Sequence, residues 1–391
     1  MTDCDVVICG AGISGLLLAA EVSKYLSVVV IERNPRSACS NKFWLTSRQS
    51  LECNPELEAY IDSRWSEMEF IASTGDQFTA KSDYVLWDTH RLEAALLATI
   101  ASNGANVLYE HRFYTYNYAG DRIIARANNC SFRAALLVDC MGFASPIVSG
   151  TGSVRILGYH HLYGRVLQLK KEITPVAADN VILSDSPALF EVFPRADGKA
   201  NAVLIAPAAS IRSTQTLAQE FNFIVEKSHY SAILEKMPGG EILQGVVPVG
   251  VVNSPALNRI LFFGEAGQLH PAATGTCLTR LLLQYKSVAA GIRRTVEAGR
   301  LQAQDLARVT RPLGGFATKF HQSLFLEQTK ATSSRGKAFI ELLGCLDQKS
   351  VDDLIFGEIT LAHFLQPDNL ARVIRNRNFV WLRPLLRTLI I

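Results

Sequence analysis

No two of the eight cysteines (Cys4, Cys9, Cys39, Cys53, Cys130, Cys140, Cys277 and Cys345) are spaced as Cys-x-x-Cys. That absence argues against a zinc or disulfide framework and predicts reduced core thiols in a cytosolic protein with no metal site. Also missing is any run of about 18 apolar residues, the minimum for a bilayer-spanning helix. The strand pattern begins directly after Met1-Thr2-Asp3, so neither a signal nor a transit peptide is expected. A net charge of +3 is too small to imply a nucleic-acid partner. Internal repeats and low-complexity tracts are lacking as well. What remains, 391 residues with 48% apolar and 19% charged side chains, predicts one large domain or two or three interleaved ones.

The first informative stretch is DVVICGAGISGLLLAAEVSKYLSVVVIERN. Asp5 to Cys9 suit a buried parallel strand, and Leu16 to Tyr25 carry apolar residues at helical spacing. Between them lie Gly10, Gly12 and Gly15. In such a strand–turn–helix the first glycine permits the tight turn, the second lets the backbone approach a pyrophosphate, and the third lets helix pack on strand. A second strand, Val28 to Ile31, ends in Glu32, about 20 residues on, where a carboxylate can accept from ribose hydroxyls. Ser14 and Arg33 flank these positions and join them as cofactor-binding candidates. The pattern predicts an adenine dinucleotide site and leaves NAD and FAD open.

Farther along, the sequence turns away from a nicotinamide dehydrogenase, which completes its nucleotide fold in successive strand–helix units. An irregular stretch with Lys42-Phe43-Trp44 and then Trp65 precedes the next helix, DTHRLEAALL, capped by Asp88 or Thr89. The strand Ala135 to Asp139 runs into Cys140-Met141-Gly142, a turn suited to a ligand's edge. A late segment, RILFFGEAGQLHPAATGTCLTRLL, is the second unusual stretch.

Together these pieces resemble the glutathione-reductase-type flavoproteins, in the branch of aromatic hydroxylases, geranylgeranyl reductases, flavin halogenases and lycopene cyclases. The family's dinucleotide glycines match Gly10, Gly12 and Gly15, and its ribose acid matches Glu32. Its "DR..L...L" helix is similar to the segment containing Arg91, and its "D..G" strand end to Asp139 and Gly142. The "GDA…P..G" segment is matched by Gly264, Glu265, Ala266, Pro271 and Gly275. The resemblance implies an extended FAD, held at one end by the first stretch and at its flavin end by the late one. Lycopene cyclases are the nearest likeness: LGYHHLYGRVLQL, QGVVPVG, AGQLHPAATG and ELLGCLDQKSVDDLIFGEITLAHFL all resemble segments of theirs, in the same order.

Two departures stand out. The acidic pair thought to protonate the polyene in that family falls here on Ile205 and Ala206, with Pro207 next, and one extra residue separates Pro271 from Gly275. Candidates for the missing chemistry stand at three places in the sequence. Glu191 interrupts an apolar strand, where desolvation would raise its pKa for proton donation, unless it lies on a solvated outer face. His270 precedes Pro271 at the expected flavin end, as proton donor, flavin partner or a loop-ordering residue. His160 and His161 lie on a strand expected to face the substrate, one lining the cavity and the other pointing away. Trp44, Tyr159 and Tyr163 are core aromatics or walls of an apolar pocket. Lys42 reads as a solvated loop residue, because the tryptophan-halogenase WxWxIP motif is missing.

The expected architecture is α/β: a Rossmann-type, three-layer FAD-binding domain from 1–40, 75–150 and 255–300, an inserted mixed-sheet substrate domain from 41–74 and 151–254, and a helical segment from 301–391. No second fingerprint for NADPH follows a convincing strand, so a nicotinamide without its own domain, or a partner reductase, would supply electrons. The end, NLARVIRNRNFVWLRPLLRTLII, carries Arg372, Arg375, Arg377, Arg383 and Arg387 among bulky apolar residues and no acid. It suits either peripheral contact with the inner face of an anionic membrane or packing onto the domain or a second subunit, with Pro384 breaking the helix. Two functions are open: a lycopene-cyclase-like, redox-neutral enzyme using reduced flavin on a hydrophobic polyene or isoprenoid, and a monooxygenase or dehydrogenase of natural-product biosynthesis.

Overall fold

A computed structural model describes residues 1–36, 45–47, 49–72, 75–128, 130–179, 188–237, 239–330, 338–375 and 382–390. Lys42, Trp44, Arg377, Phe379 and Trp381 lie outside these residues. Three sheets organise the chain. The first has the order Ala256–Leu257, Ile260–Phe262, Cys130–Asp139, Thr2–Cys9, Val28–Ile31 and Asn106–Leu108, with the hairpin Phe113–Ala119/Arg122–Ala127 attached to Cys130–Asp139. From Ile260–Phe262 through Asn106–Leu108 its strands are all parallel. The near-continuous Val, Ile and Leu of these strands follow from burial on both faces.

Helices Ile13–Val22, Thr89–Ser102 and Cys277–Glu297 cover one face of this sheet, and the hairpin residues Phe113, Ile123 and Ala125 belong to the core on the other. Helix Ile13–Val22 is apolar over most of its circumference, with Glu21 turned out to Lys24, because it is wedged between the sheet and two neighbouring helices. The wedge is tight. A Cβ on Gly15 would come to 2.0 Å from the carbonyl oxygen of Gly10, and one on Gly10, at φ +104°, to 2.5 Å from that of Cys140. Gly264, at φ +70°, leaves a Cβ only 2.6 Å from the Ser14 hydroxyl oxygen. Two turns some 250 residues apart in sequence are thereby in direct contact.

The second sheet has the order Leu234–Glu235, Val154–Leu169, Lys199–Ala208, Leu189–Pro194, Val176–Asp179, Met68–Ile71 and Gln77–Ala80, with Ile242–Val252 also paired to Val154–Leu169. It is mixed, because Val176–Asp179 runs parallel to Met68–Ile71 and the other pairs are antiparallel. A small third sheet, Leu45–Ser47, Tyr84–Trp87 and Ile61–Trp65, bridges the two larger ones. Strands Gln77–Ala80 and Tyr84–Trp87 therefore belong with the second and third sheets. This moves the expected boundary: the chain re-enters the first unit at helix Thr89–Ser102, not near residue 75. The cause is the pairing of Gln77–Ala80 with Met68–Ile71, a contact that local composition does not encode.

Helices Gly315–Gln328, Ala338–Gly344, Gln348–Phe356 and Leu361–Leu365 close one side, and Phe320, Leu324, Ile340, Leu343 and Leu354 join Phe70 and Phe193 in one cluster. Helix Leu382–Ile390 lies on Gly315–Gln328 and starts two residues before Pro384, where the imino ring is tolerated in a first turn. Among the described residues no helix is long and apolar enough to cross a membrane.

Gly15→Ala and Gly264→Ala are expected to destabilise the protein by roughly 1–3 kcal/mol or more through overpacking, read as a lower melting temperature. Gly12→Ala should leave it unchanged, because no atom lies within 4 Å of the added carbon.

Candidate functional site

One cavity of about 990 Å³ runs from the first turn to the C-terminal helices. At one end it is bounded by Gly10, Gly12, Ser14, Glu32, Arg33 and Gly142, and at the other by apolar side chains that include Phe70, Tyr84, Phe339 and Ile340. Glu265 and Gly275, from the late loop, also border it.

The polar end is built to receive an anion. Helix Ile13–Val22 has no side chain capping its first turn, and neither has Cys277–Glu297, whose preceding Thr276 hydroxyl donates to the Ile355 carbonyl instead. The first turns of both helices border the cavity, with N–H groups that no side chain satisfies. Helices Thr89–Ser102 and Thr214–Lys227 are capped by Asp88 and Ser213. Open space over Gly12 gives the backbone the close approach that a phosphate requires. The Glu32 carboxylate accepts from the backbone N–H groups of Ala11 and Asn34, both at 2.9 Å, which fixes it at the cavity edge with lone pairs remaining for hydroxyl donors. These residues fit the pyrophosphate and ribose of a dinucleotide.

Several expected positions support the cradle without bordering it. Gly15, Gly264 and Pro271 are packing residues of the turns. Asp139 is fully buried, accepting from the Met141 backbone at 3.0 Å and from the Ser145 hydroxyl at 2.5 Å; it shapes the turn carrying Met141 and Gly142, and burial pushes its carboxyl up to about 6. Arg91 departs from expectation. Its exposed side chain lies 4.0 Å from Asp88 on the outer face of its helix. Helical phase explains the difference, since 100° per residue turns Leu92 and Glu93 inward when Arg91 faces out. Glu93 borders the cavity instead, and burial pushes it up to about 7. Sequence reasoning missed it, although an acid inside the apolar stripe Leu92, Leu96, Ile100 was the available signal.

Of the three candidates for proton chemistry, the cavity takes two. His270 does not border it: the turns at 264–275 tuck its ring into the interior, 3% exposed, within electrostatic reach of His160 and His321. His160 does border it, close to Gly275. Its Nε2 lies 2.7 Å from the Ala272 carbonyl oxygen, which can only accept, so Nε2 carries the proton. Burial pushes its pKa down to about 4, so the ring is neutral near pH 7. His161, on the opposite face, meets the Ser210 carbonyl at 3.2 Å and touches the cavity margin beside Arg212. Tyr163 packs on Phe221 in the core, and Tyr159 meets Phe143 edge to face.

Glu191 sits on the cavity face of its strand. It pairs with Val203, and Leu189 pairs with Ile205. Directly opposed residues share a face, and all four border the cavity. Ala206 falls on the other face, fully buried beneath helix Thr214–Lys227. So of the two positions where the acidic pair was expected, only Ile205 looks into the chamber, and Glu191 stands diagonally beside it. Burial pushes the Glu191 carboxyl up to about 8.

Two opposite pH dependences follow. His160 and His321, held near 4 and 3 against an ordinary 6.5, contribute stability that is complete above about 6.5 and lost as pH falls toward their folded values. Glu191, raised from 4.5 to about 8, contributes stability that is complete below about 4.5 and lost as pH rises through 8. In melting scans across pH, His321→Leu should therefore flatten the acid limb and Glu191→Gln the alkaline limb, each by on the order of a few °C. Unchanged limbs would contradict these assignments.

Among curated proteins none matches the chain. The family model described as lycopene cyclase protein matches residues 5–186. Among solved structures, a geranylgeranyl bacteriochlorophyll reductase-like protein from Thermoplasma acidophilum is 17% identical, with 97% of this chain and 98% of that one covered at a TM-score of 0.70. A variant of the halogenase PltM in complex with FAD is 13% identical, with 98% and 94% covered at 0.66. The p-nitrophenol 4-monooxygenase PnpA from Pseudomonas putida DLL-E4 is 12% identical, with 99% and 97% covered at 0.64. At such identities the likeness is one of fold. The chain is thus similar in sequence to the lycopene cyclase family over residues 5–186 and shares, along nearly its whole length, the fold of these three solved structures, one of which holds FAD.

Proposed function

We propose that this chain binds FAD and acts, with the flavin reduced, on a hydrophobic small molecule held in the apolar end of the cavity. The observation that carries this reading is the continuity of one cavity, from an uncapped helix start and a ribose-ready carboxylate to a chamber walled by aromatic and aliphatic side chains. Glu32 would hold the ribose, the turn at 10–15 and the start of Cys277–Glu297 the pyrophosphate, and Glu265 and Gly275 would face the flavin half. Bound there, FAD supplies a ring that changes oxidation state and, when reduced, favours positive charge nearby. The protein's own part is to bind and orient both molecules, exclude water, and hold the Glu191 proton at the chamber wall. A nicotinamide or a partner reductase would provide electrons.

The C-terminal helices support peripheral membrane contact, a route for collecting a lipid-soluble substrate. Leu365, Leu370, Leu386 and Leu389 are 44–63% exposed, and Arg372 is exposed among them in sequence. Arg387 contributes less, being paired with Glu327. Leu386→Glu with Leu389→Glu should reduce sedimentation with anionic vesicles several-fold and leave binding to neutral vesicles low; equal sedimentation would remove this proposal.

The central test is a FAD titration of the purified protein followed by flavin fluorescence. Gly12→Ala should weaken binding about tenfold or more at an unchanged melting temperature, because the added methyl occupies the phosphate's approach. Protein that stays colourless with FAD in excess would sink the function. Under anaerobic conditions with reduced flavin, product formed from a polyene supports redox-neutral chemistry, whereas product that requires oxygen moves the chain to the monooxygenases.

A further inference from the structure

Glu93 stands only 7% exposed in the apolar stripe of helix Thr89–Ser102, among Leu92, Leu96 and Ile100. It borders the cavity together with Leu97, one turn further along the same face. Among the described residues no hydrogen bond or ion pair engages its carboxyl. A buried acid that packing does not need and that nothing in the protein satisfies points to a partner brought by the cavity's occupant.

Its height in the fold says which part of the occupant it meets. The Asn103 side-chain amide, just past helix Thr89–Ser102, donates to the Ala20 carbonyl at 3.2 Å and to the Ser23 hydroxyl at 3.0 Å, at the end of helix Ile13–Val22. The two helices pack side by side with these ends level, and they run the same way, since each leads into one of the parallel neighbours Val28–Ile31 and Asn106–Leu108. Glu93 precedes Asn103 by as many residues as Ile13 precedes Ser23. At about 1.5 Å per residue, Glu93 is therefore level with Ile13, the first residue of the uncapped turn that also borders the cavity. Packed helix axes lie about 8–10 Å apart, a gap that the glutamate side chain spans in large part. The acid thus stands beside the peptide N–H groups that await an anion.

The charges on the elements packed against this helix are engaged elsewhere or far from the acid. Glu21 pairs with Lys24 at the other end of helix Ile13–Val22. The turn Pro55–Tyr60 carries Glu56 and Glu58, paired with Lys286 and Arg64. Strand Asn106–Leu108 has no charged residue, and beyond it come Glu110, His111 and Arg112; Glu32 and Arg33 follow its neighbouring strand. Of the charged groups described, His90 alone acts on Glu93, in opposition to the burial that pushes its carboxyl up to about 7, and His90 itself meets Glu241 at 3.4 Å. A phosphate held by the first turn adds negative charge close by. An ionised Glu93 repels it, whereas a protonated one donates its O–H to a phosphate oxygen in a charge-assisted bond.

We propose that Glu93 is a phosphate-contacting residue of the cofactor site that works as the neutral acid, so that FAD binding takes up one proton there. The proposal rests on the proposed function for the identity of the occupant. The proton comes from solvent, and no covalent bond of the cofactor changes. Affinity is highest where Glu93 is protonated before the cofactor arrives, and it falls as pH rises past the acid's free value, because the proton must then be recruited.

Calorimetric titration of the purified protein with FAD, in buffers of different ionisation enthalpy, tests this. At pH 7.5 binding should take up most of one proton. Between pH 6 and pH 8.5 the Kd should rise about tenfold or more, since each pH unit above the free value is worth about a factor of ten. ADP-ribose, which has the diphosphate and lacks the flavin, should show the same slope. Glu93→Gln, whose amide can still donate, should melt like the wild type at pH 6, take up no proton, and bind FAD at every pH as the wild type does at pH 6. Wild-type affinity that ignores pH, a proton released instead of taken up, or a slope that survives in Glu93→Gln overturns the proposal. A slope seen with FAD and missing with ADP-ribose overturns it too, by moving the proton to the flavin half. If FAD binds at no pH, the proposed function falls and this proposal with it; FAD binding without a pH slope removes the role of Glu93 alone.

Discussion

The contact on which the rest depends is between backbones. Gly15 lies against the Gly10 carbonyl, Gly10 against that of Cys140, and Gly264 against the Ser14 side chain, all at distances that leave no space for a Cβ. Because three chain segments meet at this point, the strands Thr2–Cys9, Cys130–Asp139 and Ile260–Phe262 come into one parallel register with the turns at their ends stacked together. The uncapped start of one helix and the late loop preceding another then open onto the same cavity. Where a side chain fits nowhere, peptide N–H groups stand closest to the cavity, and that is the chemistry an anionic cofactor needs.

The second sheet divides the labour by face. Phe190, Leu204, Ala206 and Tyr163 pack beneath helix Thr214–Lys227, whereas Glu191, Val203, Ile205 and Leu162 look into the chamber. A period of two lets one run of apolar residues serve both purposes. It also means that a polar residue on the chamber face is desolvated without being part of the packed core. Glu191 and His160 are such residues. Their burial acts in opposite directions on charge, holding the acid protonated and the imidazole neutral, so the chamber wall carries no charge from either near neutral pH.

The glycine-turn end of the cavity was legible because it is local. Gly10, Gly12, Gly15 and Glu32 lie within one strand–helix–strand unit, and each glycine's role follows from the geometry of that unit. Gly142 and Glu265 were legible through motif resemblance, and they meet in space, a Cβ on Gly142 falling 2.9 Å from the Glu265 carboxylate. The residues misplaced by the sequence depended on something nonlocal. Arg91 and Glu93 exchanged places through the helix's rotational phase against its neighbours, and His270 turned inward because successive tight turns at 264–275 reverse the chain. The boundary near residue 75 moved because Gln77–Ala80 found its partner in the second sheet.

The amino-acid order by itself determined which segments become strands and helices, where glycine must stand, and that a carboxylate would follow the second strand, since these depend on periodicity and on φ values set within a few residues. Tertiary structure alone decided which face of each strand is wet, which of two neighbouring histidines meets the cavity from the loop side, and that Glu191 stands beside Ile205. Those outcomes rest on the register between strands far apart in the chain, and a shift of one residue would reverse every one of them.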